Sequence, residues 1–178
     1  MPLYLQRPQS GEYNPYYERY IARVPDGDFV EVLARQADDT LGLLRDLADN
    51  AADQAYAPGK WSIKEVIGHV CDAERIFGYR LLRIARGDQT PMEGFDENKY
   101  APAGQFGART LASMLEEFAA VRAATITLIA GLPNDGWSNT GVANDSPISA
   151  RALAYIIAGH ELHHRDILLT RYLPQIAS

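Results

Sequence analysis

The sequence predicts an all-α protein, a four-helix bundle, on three observations. Four segments of about 20 residues each repeat apolar side chains at helical spacing. Each segment is bounded by cap or turn signals. No stretch shows the two-residue alternation of a half-buried strand, so β content near zero is expected. At 178 residues the chain suits a single domain, 1–178, with its core over about 28–172.

The first helix is expected from about Asp28 to Ala48, after the Pro25-Asp26-Gly27 turn, with Phe29, Val32, Leu33, Gln36, Thr40, Leu43, Leu44 and Leu47 on its inner stripe. The second has the sharpest start. Pro58-Gly59 turns the chain, Ser62 is the N-cap, and Glu65 three residues on completes a capping box. Trp61 and Val66 stand in staple positions, and Ile63, Val66, Ile67, Val70, Ala73, Phe77, Leu81 and Ile84 carry the helix towards Gly87. The third begins after Thr110 and stops at Gly131-Leu132-Pro133. The fourth begins at Ser149, with Ile148 and Leu153 as its staple, and is expected to reach about Tyr172.

Two stretches lie outside the helices. Residues 1–27 hold five of the ten tyrosines, Tyr4, Tyr13, Tyr16, Tyr17 and Tyr20, with four prolines. They read as an arm packed across the bundle with one short helix near Tyr16 to Arg23, or as tyrosines lining a pocket or a dimer contact. The second stretch, Gly87 to Arg109, is a long loop between helices two and three. Connections of that length are functional or disordered, and Phe95, Tyr100 and Phe106 point to a structured cover over one end of the bundle.

A net charge of −6 without a basic block makes nucleic acid and anionic membrane poor partners, and neither is expected. The longest apolar run, Ala152 to Gly159, is far too short for a membrane span, and the N-terminus shows no signal-peptide pattern. Cys71 is the one cysteine, so no internal disulfide forms, and a cytoplasmic location is expected. It lies roughly 200° around the helix from His69, as a small buried hydrophobe rather than a ligand.

Three of the four histidines fall together, in Gly159-His160-Glu161-Leu162-His163-His164-Arg165. His160 and His164 are about 40° apart on a helical wheel and continue the stripe Leu153, Ile156, Ile157 towards Ile167 and Leu168. His163 lies roughly 60° to the other side, at the stripe's edge. His69 flanks the inward stripe of helix two, with Asp72 at i+3 and Glu74 at i+5. If helices two and four meet, three imidazoles surround one ion and leave a position open, the pattern of catalytic zinc. Asp72 or His163 could close that position in a structural site. Two rival readings stand beside this one. His160-Glu161-Leu162-His163-His164 satisfies the H-E-x-x-H pattern of zinc proteases, but no third ligand follows it and no sheet edge is expected to hold a peptide. The histidines could also be buried polar residues or a pH-sensitive patch.

Lys60-Trp61-Ser62-Ile63-Lys64-Glu65-Val66-Ile67-Gly68-His69, then Asp72 and Glu74, resembles the second helix of the DinB-like superfamily. Gly159 to His164 resembles that family's C-terminal helix, an H-x-x-x-H pair followed by Arg. The resemblance covers about residues 28–172. It implies an up-down-down-up bundle, a homodimer, and one divalent ion held by His69, His160 and His164. The family includes metal-dependent hydrolases and bacillithiol- or mycothiol-using S-transferases.

The function expected is a metal-dependent enzyme in which the ion, Zn or Ni foremost with Mn or Fe also open, activates water or a thiol cosubstrate such as bacillithiol or mycothiol. The nucleophile attacks a small electrophile held under the Phe95 to Tyr100 loop. Asp72 and Glu161 are candidate supporting carboxylates or bases, with helix-surface salt bridges as the plainer alternative. The competing function is a non-catalytic, metal-dependent small-molecule binding or stress-response module.

Overall fold

The computed structural model describes residues 2–176, and the eight α-helices found there are joined by short 3-10 turns and one small β-hairpin. The bundle consists of α2 (Phe29–Leu44), α4 (Ile63–Ala85), α6 (Leu111–Ala130) and α7 (Ala150–Ile167). Short helices fill the connections: α1 (Glu18–Ile21) in the arm, α3 (Asp49–Ala52), α5 (Glu97–Ala103), and α8 (Leu173–Ile176) at the end.

The expected caps form where side chains can satisfy the first free N–H groups of each helix. Ser62 and Glu65 make the reciprocal capping box of α4. Thr110 accepts from Ser113 N at the start of α6, and Ser149 accepts from Ala152 N at the start of α7.

Paired side chains fix the helix directions. Gly68 lies against Phe106, Arg75 pairs with Glu117, and Asn139 donates to Ala85 O, so α4 and the chain leading through α6 run parallel. His69 meets His160 while Tyr172 donates to Trp61 O, so α4 and α7 are antiparallel. Arg122 reaches Leu33 O and Asp49 accepts from Leu111 N, which makes α2 antiparallel to α6. The topology is up-down-down-up, with α4 packed between α6 and α7.

Three local features depart from expectation. Helix one ends at Leu44 rather than Ala48, and the chain re-enters a helix at Asp49. The break frees the Asp49 carboxylate to accept from Leu111 N at 2.6 Å and to pair with buried Lys64 at 3.1 Å. A short antiparallel hairpin, β1 (Thr140–Ala143) and β2 (Ser146–Ser149), replaces the expected absence of strand. Its turn residues Asn144 and Asp145 both adopt positive φ, +51° and +58°, the geometry of a type I′ turn. Helix four is continuous in path to Ile176, but a widened turn at Leu168–Tyr172 bonds Leu173 N to Leu168 O before Pro174.

The stretch after α4 is ordered, as expected, but does not cap one bundle end. Because α4 and α6 are parallel, it must return along the length of α4. On the way Met92 pairs with the hairpin, accepting from Asn144 N at 2.9 Å and donating to Val142 O at 3.0 Å. Phe106 then rests on Gly68, where an added Cβ would stand 2.5 Å from its ring.

The tyrosine-rich arm lies across α7. Tyr155 donates to Leu5 O at 2.9 Å, and Ser149 N donates to Glu12 O at 3.0 Å. The Glu12 carboxylate accepts from Arg151 Nε and from Ser149 Oγ, both at 2.7 Å. No helix among the described residues is long and apolar enough to cross a membrane.

Candidate metal centre

The antiparallel contact of α4 and α7 brings His69, His160 and His164 together. One potential ligand nitrogen from each lies within 4.8 Å of the others. His69 Nε2 and His160 Nε2 are 3.0 Å apart, a single hydrogen bond whose donor depends on the tautomer. His164 Nδ1 is buried and has no hydrogen-bond partner. A buried polar nitrogen without a partner costs free energy, and a cation is the group to which converging imidazole lone pairs donate. The donor set therefore fits one divalent ion.

Burial keeps these rings neutral, as ligation requires. Desolvation lowers His69 to about 4, and it holds His160 and His164 well below the ordinary range, with the neighbouring histidines adding to the effect. Aromatic rings make the surroundings apolar. Trp61 lies 4.8 Å from the His69 ring centroid, Tyr20 lies 5.3 Å from His160, and Phe77 lies 5.9 Å from His160.

His163 stands outside the cluster of three. Its ring is half-buried against Tyr20, 5.3 Å away, and its Nδ1 has no partner. Asp72 turns towards α6, 3.9 Å from Arg75 and near Glu117, with its pKa raised by burial. Glu161 is buried against α2, where it accepts from the Thr40 hydroxyl; its second oxygen has no hydrogen-bond partner. Desolvation raises the Glu161 pKa against the opposing pull of Arg122. Neither carboxylate lines the pocket described next.

That pocket, of about 410 Å³, opens from the faces of His69 and His160. Its walls come from the arm (Tyr16, Tyr17, Tyr20), from α4 (Ala73, Phe77, Arg80) and from the returning stretch (Phe95, Glu97). Asn144 of the hairpin turn closes one side. Gly94 is the residue that lets the turn approach, since an added Cβ would stand 2.0 Å from Asn144 Oδ1. The arm thus both packs on the bundle and lines a pocket with its tyrosines.

Arg80, Glu97 and Asn144 were not anticipated from the sequence. Arg80 had a signal: eleven residues after His69, it is three turns along and about 20° around, on the same face. Glu97 and Asn144 had none, because chain reversals deliver them.

An all-helical bundle with three converging imidazoles beside an aromatic pocket defines a class, the helical proteins built around a histidine centre. The sequence profile described as DinB superfamily matches residues 33–168, most of the chain, and the protein belongs to that superfamily. It is similar to YfiT from Bacillus subtilis, described as a probable metal-dependent hydrolase with an unusual four-helix bundle topology. That likeness has a TM-score of 0.74 at 15% identity, covering 97% of this chain and 94% of the other. A mycothiol-dependent maleylpyruvate isomerase is similar at TM-score 0.55 and 18% identity, over 86% of this chain and 60% of that one. At these identities both bear on the fold alone. Among curated proteins no sequence matches significantly.

Proposed function

We propose that the protein is a metal-dependent enzyme acting on a small electrophile, as a thiol S-transferase or a hydrolase. His69, His160 and His164 hold one divalent ion, Zn²⁺ or Ni²⁺ foremost and Mn²⁺ or Fe²⁺ next. The observation that carries this reading is the convergence of three neutral imidazoles, two of which, the buried His69 and His160, line a pocket large enough for a small molecule. A divalent ion bound there supplies Lewis-acid chemistry, lowering the pKa of a thiol or water near neutrality.

The chain's own residues do the rest. Burial keeps the three rings deprotonated at pH 7, so their lone pairs are free to bind. Tyr20 and Phe77 cover the His160 ring and exclude water from it. Phe95 and Tyr17 give the substrate an apolar wall. Glu161 and Asp72 act from behind the rings: Glu161 ties α7 to α2 through Thr40, and Asp72 faces the α4–α6 seam. A bacillithiol or mycothiol cosubstrate, and assembly as a homodimer, belong to the same proposal.

Elemental analysis of the purified protein tests it. The wild type should carry about one ion per chain, and His69→Ala, His160→Ala and His164→Ala should each lose it. His163→Ala should weaken binding by no more than about 10–100-fold. Light scattering on the same samples should give twice the chain mass. A metal-free wild type, or a His163→Ala variant that empties the site while His164→Ala keeps it, sinks the ligand assignment. Metal uptake without turnover of any thiol and electrophile pair favours a binding module instead.

A further inference from the structure

The pocket holds a charged group for which the histidine chemistry has no use. Arg80 is 4% exposed, yet its side chain reaches the pocket wall. Of the five N–H donors of a guanidinium, one is committed, from Nη2 to Glu93 O at 2.5 Å. The Phe77 ring lies 5.9 Å away.

Other deeply placed cations of the chain each meet a carboxylate. Arg122 pairs with Glu74, Arg151 with Glu12, and Lys64 with both Asp49 and Asp53. Among the described residues Arg80 pairs with no acid, and burial pushes its pKa down. A buried cation without an anion is strongly unfavourable, and a ligand bearing the missing charge removes that penalty.

We propose that Arg80 is the anion-recognising end of this pocket and that the substrate is a small carboxylic acid. Its carboxylate lies in the Arg80 fork, its body rests on Phe77, Phe95 and Tyr17, and its reacting carbon faces His69 and His160. Position supports this arrangement, because Arg80 and His69 share one face of α4, three turns apart. Charge selects a carboxylate over a phosphate. Arg80 is the only Lys or Arg on the described pocket wall, and Glu97, which acts on His69, is the only acid. Away from the histidines the wall offers a dianion one guanidinium and one repelling carboxylate, whereas a planar monoanion matches the guanidinium in two parallel hydrogen bonds.

This inference rests on the proposed reading in one respect, that the pocket beside the histidines is where substrate binds. The test therefore uses the full chain stripped of metal by chelation, so that no ion attracts the probe. Phenylacetate and its neutral analogue 2-phenylethanol are titrated by calorimetry or NMR. Stripped wild type should favour the acid by roughly 10-fold or more, the worth of a charge-assisted hydrogen bond. Arg80→Gln should erase the preference while keeping the wild-type helical circular dichroism and metal stoichiometry. Arg80→Lys, which keeps the charge without the fork, should retain a reduced preference.

Equal binding of acid and alcohol by stripped wild type overturns the proposal, and that comparison needs no variant to fold. An undiminished preference in Arg80→Gln also overturns it. A wild type that takes up no metal yet favours the acid through Arg80 removes the metal reading and leaves this one standing.

Discussion

At the scale of single residues, the centre depends on small side chains as much as on its histidines. Gly159 precedes His160, and a Cβ placed on it would stand 2.0 Å from Tyr20 O. Only a residue without Cβ lets the arm backbone cross α7 there and lay Tyr20 over His160. Backbone cannot retreat as a flexible side chain can, so Gly159→Ala should displace the arm. The expected cost is about 1–3 kcal/mol, the range for overpacking, measured by urea unfolding, with faster proteolysis within residues 8–27. Stability within about 0.5 kcal/mol of wild type and an equally protected arm would contradict the crowding. Histidine spacing, by contrast, was legible at once: a regular helix puts His160 and His164 on one face whatever surrounds it.

At the scale of elements, a buried ion pair joins three of the four bundle helices. Arg122 on α6 donates to both Glu74 oxygens of α4 at 2.9 Å, and also to Leu33 O and Gln36 Oε1 of α2. Both charged side chains are nearly inaccessible. Their mutual attraction offsets a large desolvation cost, so removing one partner is far worse than removing both. Glu74→Ala should cost about 3–5 kcal/mol in chemical denaturation, whereas Glu74→Leu with Arg122→Met should regain most of it. A Glu74→Ala variant as stable as wild type would show that the pair is solvated in solution. In the sequence Glu74 stands out only for its place near His69, because a pattern of apolar positions does not reveal which polar residue finds a buried partner.

At the scale of the whole molecule, the arm is fastened by groups far apart in the chain, and its attachment depends on pH. Hydrogen bonding from Arg151, supported by Gln9 N and Ser149 Oγ, lowers Glu12 from 4.5 to about 2. The folded value is the depressed one, so this contribution is fully present above about pH 4.5 and is lost as pH falls towards 2. The groups are partly solvated, and screening reduces the worth of the pair to about 1 kcal/mol. Between pH 5 and pH 3 the wild type should lose more than half of that contribution beyond what Glu12→Gln loses, and the rest by about pH 2, read from unfolding midpoints. Identical slopes for the two proteins would remove Glu12 from the linkage.

The sequence by itself determined where the helices of the bundle start, through Ser62, Thr110 and Ser149, and which of their faces are apolar. It also determined that His160 and His164 look the same way. These are local properties, decided by the backbone period and by side chains within a turn of each other. Tertiary structure decided what meets what. The parallel run of α4 and α6 sends residues 86–110 back along the bundle, carrying Phe95 and Glu97 to the pocket. The same packing breaks the first helix so that Asp49 can serve Lys64 and Leu111 N. It brings His69 to His160 across 91 residues of sequence, and it leaves Arg80 buried without a carboxylate. Such juxtapositions come from burying several faces in one core at once, a condition that no single segment of the chain contains.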